Sequence, residues 1–272
     1  MPPLVYETVA WLRFYTHLPL PALPGESDVA APADPLSSAQ AVPIAGALIG
    51  AAAGLVLVLV ASLGASSFVT AAAATLTLVA MTSARPELAL ATLAERMLGG
   101  ATEHQGTLAS IADRFRHHGH GDVVVAARIS IYGVLAILVA VLLRVGALES
   151  MSGRAAVATA FALVGAGAVS RAAATAFSLI RLGSRDSLQQ SDQSALQWLV
   201  AIGLGIGIIT VLPGLGVGAT IAGIAAAIGA AALVTAFVPR SESDGPRLFA
   251  GTAELIAEVA FIVAIVAFSR TA

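Results

Sequence analysis

The ionisable residues of this 272-residue chain lie between long apolar runs and hardly ever within them. Ala41 to Leu63, Ile129 to Leu148 and Leu199 to Val217 carry almost none. A run of about 20 apolar residues matches the hydrocarbon thickness of a bilayer. No water reaches that depth, so each backbone N–H and C=O must find its partner within the segment, and the segment becomes a helix. The expected fold is all-α: a polytopic helical membrane protein with about 6–7 transmembrane helices. Only 11% of the residues are charged and the mean hydropathy is +0.90. Soluble domains hold about 25% charged residues, so an ordinary soluble enzyme is excluded. A formal charge of -2 gives no general attraction for nucleic acid. With no cysteine there is no disulfide, thiolate nucleophile or Cys-based metal site.

Residues 1–40 form a leader rich in Pro, Ala and Ser, without the basic stretch and clean apolar core of a signal peptide. Its segment Val9 to Tyr15 carries aromatics suited to a membrane interface. Residues 41–272 are expected to form a single transmembrane domain. Its spans are expected at about 42–63, 66–83, 129–148, 155–180, 197–216, 218–238 and 249–268, the second being short. Gly46, Gly50 and Gly54 recur every fourth residue, a spacing that lets helix backbones approach closely.

The longest polar segment, about 84–127, holds four of the five histidines. If it is cytoplasmic, the N-terminus and residues 181–196 and 239–248 are cytoplasmic too. Ten arginines then gather on that side, while Arg144, Arg154 and Arg270 fall on the other, a positive-inside distribution.

Few polar groups are placed where chemistry needs them. Arg171 lies inside an apolar run, at a cost of about 2.5–3.5 kcal/mol on insertion scales, so it should face a polar cavity or an anion. The plainer alternative is a side chain snorkelling to the interface, about ten residues away, which is a long reach. Glu254 and Glu258 share a helix face and could hold a cation, pair with an arginine, or simply sit at the interface. His117, His118 and His120 lack the spacing that sets two imidazoles on one helix face and fit a solvated loop better than a metal site. Ser110 to Arg116 suits anionic lipid, a phosphorylated substrate or plain solvent. There is no Gly-rich phosphate loop and no Ser/His/Asp signature.

The order of several landmarks resembles one family. Phe14-Tyr15-Thr16-His17-Leu18-Pro19-Leu20-Pro21 is similar to its F-x-T-R-L-P-x-P segment. Ala41 to Gly50 resembles its F-P-x-x-G-x-x-x-G, Ala126 to Val134 its D-S-R-x-G-x-Y-G-V, and Ser170-Arg171 its intramembrane S-R. The family is cobalamin synthase, adenosylcobinamide-GDP ribazoletransferase. Departures fall on its acidic motif H-x-D-G-L-A-D-x-x-D, where this chain has Pro86, Leu88, Thr92 and Glu95. Ala126 replaces the Asp of D-S-R, and only Gly251 and Glu258 match its C-terminal motif, with Leu248 at the Asp position. An insertion at roughly 106–122 separates the two central motifs.

The resemblance implies a transferase of cobalamin (vitamin B12) biosynthesis in the bacterial inner membrane. As in CDP-alcohol transferases, an alcohol on α-ribazole, or its 5′-phosphate, attacks the phosphoryl linked to cobinamide and GMP leaves. It implies Mg²⁺ on carboxylates, with Glu87, Glu95 and Glu258 as ligands and Glu87 and Glu95 as catalytic residues. Arg128, Ser170 and Arg171 would bind substrate phosphate. The partners implied are membrane lipid, the corrinoid nucleotide and α-ribazole, with room for a homo-oligomer or other cobalamin-biosynthesis proteins. The substituted acidic positions keep two alternatives open: an inactive homologue acting as partner subunit or precursor binder, and a small-residue-rich transporter.

Overall fold

The computed structural model describes residues 3–18, 20, 38–98, 130–182, 190–237 and 245–269, and their regular structure is entirely helical. Helix α1 spans Pro3–Tyr15, and a 3-10 turn at Ala39–Ala41 runs directly into α2, Val42–Ser62. Then come α3, Ser67–Thr82, and α4, Arg85–Leu98. After these lie α5, Ile131–Ser152, α6, Ala156–Leu182, α7, Gln190–Phe237, and α8, Gly245–Ser269. Five of these helices are long and apolar enough to cross a membrane, and a sixth crossing counts if α3 and α4 act together.

Local chemistry sets the ends. Pro43 sits in the first turn of α2, where its missing N–H has no bond to lose. Ser66 caps α3 by accepting from the Val69 N–H at 3.4 Å, and Ser130 caps α5 by accepting from Gly133 at 3.4 Å. Between α3 and α4 the chain turns by 84° through Ser83 and Ala84, both at positive φ (52° and 55°). For non-glycine residues that conformation costs roughly 1–2 kcal/mol each. The bend carries the first turn of α4, with Glu87, back into the protein interior.

Helix α7 is broken into two arms. A straight apolar helix of 44 residues would be about 66 Å long, twice the hydrocarbon thickness. At Gly216 the backbone leaves helical geometry (φ 81°, ψ 173°), a conformation that glycine tolerates. A Cβ placed on Gly207 would lie 3.9 Å from Ile224 Cδ1, so the arms on either side fold back on each other. This agrees with the two expected spans, 197–216 and 218–238.

Helix α6 is the hub, with α2, α7 and α8 against it. A Cβ on Gly46 would overlap the Gly167 carbonyl, and one on Gly50 would overlap the Leu163 carbonyl. Lipid tails are as apolar as leucine, so helices in a bilayer associate through such close packing rather than by escaping water. Outer faces carry fully apolar side chains such as Leu55, Leu59, Leu142 and Ile209, all exposed.

Trp11 departs from the interfacial role expected for its segment. It is buried against Ala41, Val42 and Leu199, and its indole Nε1 donates to the Ser38 carbonyl at 3.0 Å. Helix α1 is thereby tied to the start of α2, with only Phe14 left exposed among its three clustered aromatics.

Ser152 Oγ reaches the Ser67 carbonyl at 3.5 Å, and Gly214 lies against Ala158. The α2–α3, α5–α6 and mid-α7 turns therefore share one end of the bundle. The other end collects the start of α2, the α3–α4 bend and the beginning of α8, where Gly251 abuts Pro86 and Ala89.

Candidate functional site

Five charged side chains are buried together near this second end. Helix α8 contributes Glu254 and Glu258, one turn apart on one face. Arg144 of α5 places Nη1 3.1 Å from Glu87 Oε1 and Nη2 3.1 Å from Glu258 Oε1. Arg171 of α6 places Nη2 2.6 Å from Glu254 Oε1 and Nη1 3.3 Å from the Gly167 carbonyl. The Arg144–Glu87 contact is an aligned hydrogen bond. The contacts to Glu254 and Glu258 are close charge pairs whose N–H groups are not aimed at the oxygens. Arg171 is 1% exposed and Arg144 3%, so neither snorkels to water. Glu87 Oε2 and the Nε atoms of both arginines are buried without a hydrogen-bond partner among the described residues. Such groups cost about 1–3 kcal/mol each when left unmade, more if charged.

Helix α1 closes this cluster from its end. The Tyr15 ring lies 5.3 Å from the Arg171 guanidinium, in cation–π range, and stacks on Trp11 at 5.7 Å. Burial pushes the Tyr15 phenol above its ordinary value and Glu254 adds to this, while Arg171 and a hydrogen bond with Thr175 oppose it. At neutral pH the phenol is therefore uncharged. Arg85, beside the bend, donates to the Phe14 carbonyl at 2.6 Å and meets His17 Nε2 at 3.2 Å, which pins the end of α1 to α4.

The site residues expected from sequence are distributed unequally. Glu87, Arg171 and Glu258 belong to the cluster. Ser170 is fully buried, and its hydroxyl turns to the Gly167 carbonyl of its own helix at 3.5 Å. Glu95 lies two turns beyond Glu87, about 12 Å along α4. Its carboxylate accepts from the Ser130 N–H at the start of α5, where unpaired donors and the helix dipole favour an anion. Arg128 and the histidine cluster lie outside the described residues.

Arg144 is the residue that sequence reasoning misplaced. Counted with the far-side arginines, it lies instead within its span, thirteen residues after Ile131, and anchors two carboxylates. The usable signal was present in the sequence: two carboxylates one turn apart in α8, and only two arginines within apolar runs to answer them.

The donor set does not fit the expected Mg²⁺. That ion needs near-octahedral oxygen ligation at about 2.0–2.1 Å. Glu87 and Glu258 face each other across a guanidinium, and Glu95 is engaged at the other end of α4. Among the described residues no three His, Asp or Glu side chains stand together so as to hold a metal.

Comparison with known proteins finds similarity over nearly the whole chain. It is 31% identical over 274 residues to an adenosylcobinamide-GDP ribazoletransferase of Azorhizobium caulinodans, covering 98% of this chain and 97% of the relative. Proteins of the same name from Xanthobacter autotrophicus (36% over 148 residues, 54% of this chain and 51% of the relative) and Allorhizobium ampelinum (33% over 180 residues, 64% of each) also match. No protein-family model and no solved structure matches it.

Proposed function

This chain belongs to the adenosylcobinamide-GDP ribazoletransferase (cobalamin synthase) family, and from that premise we propose that it is a transferase of cobalamin biosynthesis. Its substrates in this reading are adenosylcobinamide-GDP and α-ribazole, or its 5′-phosphate. The ribazole hydroxyl oxygen forms a bond to the phosphoryl phosphorus attached to cobinamide. The phosphoanhydride bond to the departing GMP breaks, and the hydroxyl proton passes to a base. The membrane is the bacterial inner membrane, with the N-terminus and the 84–127 segment on the cytoplasmic side.

The observation that carries the reading is the likeness to the Azorhizobium caulinodans enzyme along both chains at nearly full length. The buried cluster supports it at the level of chemistry. A diphosphate needs cationic donors in a site shielded from water, where such contacts are strong. Arg171 is cationic and buried, with an Nε that has no partner among the described residues, and Tyr15 and Glu254 are what a phosphate must displace to reach it. Glu87 is the candidate proton acceptor, with Oε1 held by Arg144 and Oε2 without a partner among the described residues. Arg128 is the second candidate phosphate ligand. Glu95 acts as a positioning residue through α5.

The test is cobamide formation from adenosylcobinamide-GDP and α-ribazole by the full chain in liposomes. Product above that of empty liposomes is expected, with a loss of roughly tenfold to a hundredfold in kcat/KM for Arg171→Ala, the worth of one charged hydrogen bond. No product from the parent chain, at any substrate level that a full-length relative converts, overturns the reading.

A further inference from the structure

We propose that Arg144 is a built-in counter-cation: its guanidinium occupies the place between Glu87 and Glu258 that a divalent ion would need, so this buried cluster runs on an internal cation. The three side chains come from α4, α5 and α8, and each is at most 4% exposed. One guanidinium edge serves one carboxylate and the neighbouring nitrogen serves the other, both at 3.1 Å. Two carboxylates brought this close without a cation would repel strongly in a medium of low dielectric. The guanidinium separates them and gives each a partner.

Charge counting gives a divalent ion no advantage. Glu87, Glu254 and Glu258 set three negative charges against the two positive charges of Arg144 and Arg171. A divalent ion would turn a net charge of −1 into +1, an excess of the same size. It would also have to share the carboxylates with a guanidinium about one side chain away, and like charges at such range repel. Arginine keeps its proton at any working pH, so this cation cannot dissociate. The consequence is mechanical as well as electrostatic: α4, α5 and α8 are clamped by a covalently attached ion rather than an exchangeable one.

Mn²⁺ binding to the purified full-length chain in detergent, followed by electron paramagnetic resonance and by the thermal midpoint, tests this without any assay of turnover. The parent, Glu87→Gln and Glu258→Gln should bind Mn²⁺ equally, whatever binding other residues supply. Arg144→Ala, with both carboxylates freed, should bind at least roughly tenfold more tightly than the parent, a gain of about 1.4 kcal/mol. That gain should vanish in Arg144→Ala/Glu258→Gln. Parent binding that Glu87→Gln or Glu258→Gln removes would overturn the proposal. So would a folded Arg144→Ala chain with no gain. Should Arg144→Ala fail to fold, the comparison of the parent with the two Gln variants decides alone. Because cation binding is measured directly, loss of the transferase reading would leave this result standing.

Discussion

At the scale of single residues, the buried arginines are each indispensable to a neighbour. Removing one partner from a buried ion pair strands the other charge, at about 3–5 kcal/mol. Arg144→Gln should therefore lower the thermal midpoint in detergent sharply, and Glu258→Gln in the same chain should restore part of the loss. A double-mutant cycle over these positions is expected to show coupling of about 0.5–3 kcal/mol. Additive effects would mean that the two side chains do not interact. Glu254 separates resting structure from substrate binding in a different way. If it is only the resting counter-ion of Arg171, Glu254→Gln should bind adenosylcobinamide-GDP at least as tightly as the parent, while losing stability. A tenfold weaker dissociation constant, about 1.4 kcal/mol, would make Glu254 part of the binding surface instead.

At the scale of elements, the close approach of α2 and α6 and the α3–α4 bend carry the architecture. A Cβ on Gly46 would overlap the Gly167 carbonyl and come within 2.8 Å of Arg171 Cδ, so Gly46→Val should disturb both the helix pair and the arginine. Gly146 has nothing within 4 Å of the same position, and Gly146→Ala should be neutral or slightly stabilising. Thermal midpoints of the two variants compare the sites directly. Ala84 offers the opposite sign. At φ 55° glycine is easier to accommodate than alanine, so Ala84→Gly should stabilise by up to about 1 kcal/mol, against the usual penalty for glycine. A loss of stability there would mean that the bend does not hold the left-handed conformation in the membrane.

At the scale of the whole molecule, the two ends of the bundle must face opposite compartments. The chain contains no cysteine, so single cysteines introduced at Leu63 and Arg154, both exposed, report without background. They should react with an impermeant maleimide from one side of the membrane, and a cysteine at Leu18 from the other. Labelling of Leu63 and Leu18 positions from the same side would break the arrangement of helix ends described above. Helix α1 belongs to this scale too, because Trp11, Tyr15 and the Arg85 contacts hold it over the end of the bundle where the charges are buried.

What could be known from sequence is what local physics decides. A run of apolar residues has one stable form in lipid, so the long apolar helices, their approximate ends and the break near Gly216 follow from composition and spacing alone, whereas α4, inside the expected polar segment, does not. The glycine spacing of α2 announced a close contact, and the charge of Arg171 inside its run announced an anionic partner. The identity of that partner was a different matter. Glu254 and Glu258 sit at a span boundary and Glu87 in a polar stretch, and nothing local distinguishes an interfacial carboxylate from one folded inward. Only the 84° bend after α3, the descent of Arg144 into its span and the placement of α8 bring these charges together. A buried ion must find its counter-ion across the fold, because lipid offers no solvent to replace it, and residues 57 and 114 positions apart meet at one guanidinium for that reason.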